Sequence, residues 1–182
     1  MRIVGGEARG RPLRAVKGPG TRPTADRVRQ SIFDLLGQRM DGLLVLDLYA
    51  GTGALALEAL SRGAAKAVLI EKDPHAFDVM FMNAEDLGFA QRCTLLREDV
   101  PRELARLRGQ QFDLIFSDPP YVLHAAQSTI ANLAANQLLA PGGRVVLEMG
   151  RREEMPVCPA GLAVVDERRY GDTRVVVIGK EG

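Results

Sequence analysis

The feature that most constrains this chain is the regular exchange of short apolar runs and amphipathic segments from Leu43 to Met149. Leu43–Leu48, Ala67–Glu71, Cys93–Arg97, Phe112–Phe116 and Arg144–Met149 are strand-length and rich in branched apolar residues. Segments with helical spacing lie between them. Gly51–Gly63 carries Leu55, Leu57, Ala59 and Leu60, and Asp73-Pro74 opens a helix with Phe77, Met80, Ala84 and Leu87 on one face, ending at Gly88. A cap residue followed by Pro is a favoured helix start. A short helix follows Glu98-Asp99-Val100, and a long one is expected from about Ala125 to Leu139, with Pro141-Gly142-Gly143 turning into the fifth strand. Such alternation signifies a parallel sheet covered by helices on both faces, because each parallel connection needs a crossover. Leu162–Tyr170 and Thr173–Gly179 instead alternate and are joined by Gly171-Asp172, a hairpin signal. The expectation is an α/β, seven-stranded, mostly parallel sheet with an antiparallel C-terminal hairpin. The Pro-broken segment Arg151–Gly161 is expected to hold little regular structure.

The amino-terminal part differs in character. Residues 1–29 carry eight Arg and Lys against Glu7 and Asp26, a local charge of +6, so the rest of a chain of net charge +1 sums to −5. Arg2-Ile3-Val4, Gly5-Gly6 and Gly10 to Val16 predict a small hairpin whose glycines let the backbone approach a partner. Its arginines suit phosphate contacts that position without reading sequence. Asymmetry of this kind points to a nucleic-acid partner, although a solvated arm shows the same charge. Residues 1–20 are expected to form this basic extension, with 17–20 as a connector, and residues 21–182 the main domain. Pro23 and the cap residue Thr24 introduce a helix with Val28, Ile32, Leu35 and Leu36 buried and with Arg27 and Arg29 off that stripe.

Other classes are less compatible with the residues. No apolar run approaches the ~20 residues of a membrane helix, and Met1 to Gly6 lacks an apolar signal core. Cys93 and Cys158 are far apart, so free thiols in a reducing cytoplasmic setting are expected. His75 and His124 complete no metal-ligand pattern, so no metal site is expected.

Two motifs carry chemistry. Asp47-Leu48-Tyr49-Ala50-Gly51-Thr52-Gly53 leaves the first strand and opens a helix, and its glycines allow close ligand approach. Gly51-x-Gly53-x-x-Ala56 fits a nicotinamide dinucleotide or S-adenosyl-L-methionine equally well, with Glu71 about twenty residues on facing a ribose in either case. A tight turn without a ligand would use the same glycines. Asp99, after the third strand, could accept from an adenine amine or be a loop acid. Three acids at successive strand ends suit a cationic sulfonium and repel a pyrophosphate. The second motif, Ser117-Asp118-Pro119-Pro120-Tyr121, ends the fourth strand. Asp118 and the Pro119 carbonyl can accept the two N–H bonds of a nucleobase amine while Tyr121 stacks on the ring. The prolines fix φ and stiffen that lip. This favours methyl transfer to a planar, amine-bearing base over nicotinamide chemistry.

Together these residues resemble the bacterial RsmD type of 16S ribosomal RNA guanine-N2 methyltransferase, within the Rossmann-like class I S-adenosylmethionine-dependent methyltransferases. The resemblance is carried by Arg2 to Gly6, Gly10-Arg11, Arg22-Pro23-Thr24-x-Asp26-Arg27-Val28-Arg29, Asp47 to Leu55, Glu58 to Gly63, Asp118 to Tyr121 and Tyr170 to Thr173. The Asp-Pro-Pro-Tyr turn alone is shared with DNA adenine and other amino-methyltransferases. The resemblance implies S-adenosyl-L-methionine as donor and a guanine of 16S rRNA, in an assembled or assembling small subunit, as acceptor. It places Asp47, Ala50, Gly51 and Gly53 at the cofactor's amino-acid part, Glu71 at the ribose and Asp99 at the adenine. Asp118 lies at both the cofactor and the base, with Pro119 and Tyr121 catalytic beside it. Arg9, Arg11, Arg14, Arg22 and Arg27 are the expected RNA contacts, Thr24 and Arg27 border the cofactor or base, and a monomer is expected. Alternatives at this level are a DNA adenine-N6 methyltransferase, for which 182 residues leave little room to read a duplex, and a non-catalytic RNA-binding assembly factor.

Overall fold

The computed structural model describes residues 1–16, 26–119 and 125–180. Seven strands form one sheet: β1 Leu44–Leu48, β2 Lys66–Ile70, β3 Cys93–Leu96, β4 Phe112–Ser117, β5 Leu139–Gly150, β6 Leu162–Tyr170 and β7 Thr173–Lys180. Their order is β3-β2-β1-β4-β5-β7-β6. The first five pair in parallel, and β7 runs antiparallel to both neighbours, β5 and β6. The helices are α1 Asp26–Leu36, α2 Ala54–Ser61, α3 Pro74–Leu87, α4 Val100–Arg106 and α5 Ala125–Ala135. One core joins α1, α2 and α3 to one sheet face through Phe33, Leu57, Leu60, Met80 and Phe116. The other joins α4 and α5 to the opposite face through Leu104, Ile130, Leu133, Ile115 and Val145. Both faces of the parallel part are therefore dry, as its continuous apolar strands require. Among the described residues no helix is long and apolar enough to cross a membrane.

Two expected boundaries move. The last long helix ends at Ala135 rather than Leu139, and Gln137 then takes a left-handed φ of 56°. Leu139 already pairs with Phe112, and the register shifts before Leu114 meets Arg144, so Pro141-Gly142-Gly143 is an excursion within β5 rather than a turn preceding it. The apolar residues at the end of the helix pattern serve the strand instead.

The amino-terminal arm, residues 1–16, makes one antiparallel bridge, Arg2 to Pro12, and buries Ile3, Ala8 and Leu13 in the same core as α2. Its glycines approach this chain's own helix. A Cβ on Gly6 would stand 1.9 Å from the Ser61 carbonyl oxygen, and Gly6 has φ 74°. The Glu7 N–H donates to that carbonyl at 2.8 Å, and the Ala8 N–H to the Ser61 hydroxyl at 2.9 Å. All eight residues of α2 are buried, because the sheet lies on one side of it and the arm with α1 on the other.

Arg29 corrects the expectation that it lies off the buried stripe of α1. It is fully buried, with Ile32 and Phe33. Its guanidinium meets Glu58 of α2 at 3.4 Å, meets Asp26 at 2.9 Å and donates to the Arg2 carbonyl. The other Glu58 oxygen takes the Arg62 Nε–H at 2.8 Å, and the Val4 N–H donates to Glu58 at 2.8 Å. Arg62 also lies 4.6 Å over the Phe33 ring, and Phe33 packs on Phe116 of β4 at 5.8 Å between centroids. Removing one partner from a buried ion network strands the others in low dielectric. Glu58→Ala is expected to lower the unfolding free energy by about 3–5 kcal/mol, read from urea titrations. A loss below about 1 kcal/mol, the scale of an exposed pair, would show that the network is dispensable.

Candidate functional site

The order of the sheet brings the predicted acids together. The chain runs from β1 outward to β3, then returns to the other side of β1 as β4, so strand order reverses between β1 and β4. Crevices outside the carboxyl ends at such a reversal are where open α/β sheets bind ligands. Four neighbouring strands, β3, β2, β1 and β4, end in that crevice with Asp99, Glu71, Asp47 and Asp118 respectively.

Each acid is held differently. Asp47, the penultimate residue of β1, is buried and accepts the Ala56 N–H at 3.1 Å, tying β1 to the first turn of α2. Glu71 accepts the Gly51 N–H at 2.8 Å through one oxygen and the Asp73 N–H at 2.8 Å through the other. It thereby braces the loop after β1 against the loop after β2. Asp73 caps α3, accepting the Ala76 N–H at 2.8 Å. Asp99 occupies the cap position of α4 without its carboxylate bonding there, and stays exposed. Asp118 follows Ser117, which pairs with Leu48 on one side and Leu147 on the other. Pro119 next to it is buried. Pro120, Tyr121 and His124 lie outside the described residues, as do residues 17–25, which include the predicted connector, Arg22, Pro23 and Thr24.

The loop from Tyr49 to Gly53 is tightly folded. Tyr49 has φ 59°, a left-handed conformation costly for a side chain of that size. It is secured by the Ala50 N–H donating to the Ile70 carbonyl at 3.0 Å and by the Tyr49 hydroxyl lying 3.2 Å from that of Thr129 on α5. Gly53 has φ 76°, and a Cβ there would lie 3.1 Å from both Leu69 and Met80. Ala50 and Gly51 are half-buried and line the same turn.

Crowded acids at a partly dry strand end resist ionisation. Burial pushes Asp47 up to about 8, the Ala56 N–H pulls the other way, and the charges of Asp118 and Glu71 raise it further. Burial, then the nearby Glu153 carboxylate, pushes Asp118 up to about 6. Such a cluster favours a cation, which would restore the ionised forms. A pyrophosphate would be repelled. The acid cluster thus fits a sulfonium-bearing cofactor, while Gly53 is required by the packing of Leu69 and Met80.

The arginines divide. Arg9 is exposed on the arm and Arg27 on the first turn of α1. Arg11 donates to the Asp86 and Leu87 carbonyls at the end of α3, and Arg14 pairs with Asp86 at 2.8 Å. Both remain exposed. Asn83, Glu153 and Thr129 are site neighbours that sequence reasoning missed. Asn83 had a signal, a polar residue on the apolar Met80–Ala84–Leu87 face of α3. Among the described residues no cluster of three His, Cys, Asp or Glu side chains could hold a metal. Burial raises the free Cys93 thiol to about 11, which disfavours its thiolate.

Sheet order, the antiparallel β7 and the acid-lined reversal point define a Rossmann-like class I methyltransferase. Comparison with known proteins narrows this. A family model described as Conserved hypothetical protein 95 matches residues 1–179, and the chain belongs to that family. Ribosomal RNA small subunit methyltransferase D of Escherichia coli (strain K12) is 36% identical over 171 residues, covering 94% of this chain and 85% of that protein. The solved Escherichia coli yhhF, described as a candidate methyltransferase, superposes with TM-score 0.88 at 32% identity over 100% of this chain and 98% of that one. An RNA methyltransferase from Salinibacter ruber, solved in complex with S-adenosyl-L-homocysteine, shares the fold at TM-score 0.66 and 20% identity, covering 87% of this chain and 94% of that one.

The acid cluster has a measurable consequence. Asp47 and Asp118 bind protons more tightly folded than unfolded, so between the ordinary carboxylate range and their raised values the native state holds the extra protons. Stability contributed in this way is complete at acid pH and is lost as pH rises through about 6 for Asp118 and about 8 for Asp47. The ligand-free protein is expected to lose about 2 kcal/mol between pH 6 and 8 from Asp47. Asp47→Asn should flatten that slope in urea titrations across the range, and an unchanged slope would remove Asp47 as its source.

Proposed function

We propose that this chain transfers a methyl group from S-adenosyl-L-methionine to the exocyclic N2 amine of a guanine in 16S rRNA, within an assembled or assembling small ribosomal subunit in the cytoplasm, and acts as a monomer. The observation that carries the reading is the convergence of Asp99, Glu71, Asp47 and Asp118 on four adjacent strand ends at the reversal point. The named activity of the Escherichia coli relative supports the rRNA substrate.

The cofactor, when bound, supplies an electrophilic methyl carbon on a positively charged sulfur. Asp47, Ala50, Gly51 and Gly53 would hold its amino-acid part, Glu71 its ribose and Asp99 its adenine. An exocyclic base amine is a weak nucleophile because its lone pair is delocalised into the ring. Asp118 and the Pro119 carbonyl would accept its two N–H bonds, letting the nitrogen pyramidalise and aim its lone pair away from the ring. Those hydrogen bonds strengthen as positive charge develops on nitrogen, so they stabilise the transition state more than the ground state. The methylated aminium then releases a proton to water. Tyr121 would stack on the base, which must leave its loop to enter the crevice. Arg9, Arg11, Arg14, Arg22 and Arg27 would meet the RNA backbone.

Asp118→Ala is expected to lower kcat by about 10²–10³-fold while S-adenosylhomocysteine binding, read by calorimetry, survives. Methylation of small subunits at an undiminished rate would refute the role given to Asp118. Mass spectrometry of 16S rRNA from cells lacking this protein tests the substrate directly, because one N2-methylguanine should disappear.

A further inference from the structure

We infer that Asn83 is a positioning residue that couples the RNA-facing arm to the cofactor loop. Asn83 sits on the sheet-facing side of α3 and is 1% exposed. Its Oδ1 accepts the Arg14 N–H at 2.8 Å, and its Nδ2 donates to the Arg14 carbonyl at 3.2 Å and to the Thr52 carbonyl at 3.0 Å. The assignment of the two amide ends is forced: an N–H can only donate and carbonyls can only accept. One side chain therefore grips both backbone groups of an arm residue and the carbonyl between Gly51 and Gly53.

The geometry of a planar amide makes this a coupling rather than two separate contacts. Its two N–H bonds are rigidly related, so a shift of Arg14 that drags one hydrogen turns the other away from Thr52. The Thr52 carbonyl in turn fixes the peptide between two glycines of left-handed φ, 56° and 76°, the part of the loop with the least side-chain restraint. Gly51 is held to Glu71, the residue proposed for the ribose. At the other end, Arg14 also pairs with Asp86 through its side chain, and an RNA phosphate competing for that guanidinium would load the arm next to Asn83. The arm's setting and the loop's setting thus share one buried hydrogen-bonding group. By linkage, any effect of RNA on cofactor affinity has an equal reciprocal effect.

This inference rests on the arm being the RNA contact and the loop being the cofactor contact. The test is S-adenosylhomocysteine affinity with and without small ribosomal subunits purified from cells lacking the protein. Wild type is expected to bind it at least about fivefold more tightly with subunits present, the lower end of ordinary coupling. In Asn83→Ala the ratio should fall to about one. Asn83→Asp keeps the side chain's size and the acceptor for Arg14 but loses both donors, and should behave likewise. Variants with a lowered melting temperature but the wild-type ratio would reduce Asn83 to a packing residue and overturn the inference. In wild type alone, subunits should slow amide hydrogen exchange in the peptide containing Gly51 to Gly53, and unchanged exchange would also overturn it. Binding of both ligands with a ratio of one sinks only the coupling, whereas failure to bind either ligand sinks the proposed function with it.

Discussion

The buried Glu58 carboxylate is the contact on which the arrangement depends. It lies on a helix with no solvent-facing side, since every residue of Ala54–Ser61 is buried. A helix buried on every side must be covered on every side, and the sheet can cover only one. The arm and α1 cover the rest, and Glu58 joins them by accepting from Val4 and pairing with Arg29 and Arg62. Two buried guanidiniums on one carboxylate would leave net positive charge in the interior. Asp26 at the network's edge and the carbonyl of Arg2 spread that charge. Ser61 and Arg92 repeat the logic at the far end of α2, where Arg92 joins the Leu60 and Ala64 carbonyls to Glu7 of the arm.

Anchoring α2 also anchors the site. The same helix begins at the glycine loop, where the Ala56 N–H meets Asp47. Phe33 and Arg62 press the network against Phe116, two residues before Asp118. The left-handed Tyr49 and the crowded acids both raise the energy of the ligand-free site. That cost is tolerable only because rigid neighbours on both sheet faces hold it: α2 and α3 on one, and Thr129 of α5 on the other.

Much of this was legible in the sequence because period and punctuation agreed. The first four strands, the Asp73-Pro74 start, the Gly88 stop and the Gly171-Asp172 hairpin each rest on local backbone preferences, and local preferences survive folding where nothing opposes them. The four acids were legible for a related reason: strand ends in a parallel sheet share one edge. Arg29 was not legible. Charged residues at helical spacing read as solvent-facing, and the burial of Arg29 is offset by the distant Glu58 together with Asp26 and the Arg2 carbonyl. Gly5-Gly6 suggests room for an outside partner, but the close neighbours are this chain's own Arg62 for Gly5 and Ser61 for Gly6. Asn83 was passed over inside an apolar stripe, because its partners, Arg14 and Thr52, are backbone groups whose positions no pattern reveals.

The charge asymmetry changes meaning once the contacts are known. Eight cations precede residue 30, yet Arg29 is committed to Glu58, and Arg11 and Arg14 lean on the carboxyl end of α3 and on Asp86. The helix end favours cations through its unpaired carbonyls and dipole, so these two side chains, though exposed, are directed onto this chain's own helix. An exposed pair such as Arg14–Asp86 is worth little by itself, and a phosphate, itself anionic, can share or replace Asp86 at small cost. What the pairing contributes is direction. It holds the guanidinium at the carboxyl end of α3, so an anion bound there would cost less conformational freedom than one bound by a free side chain.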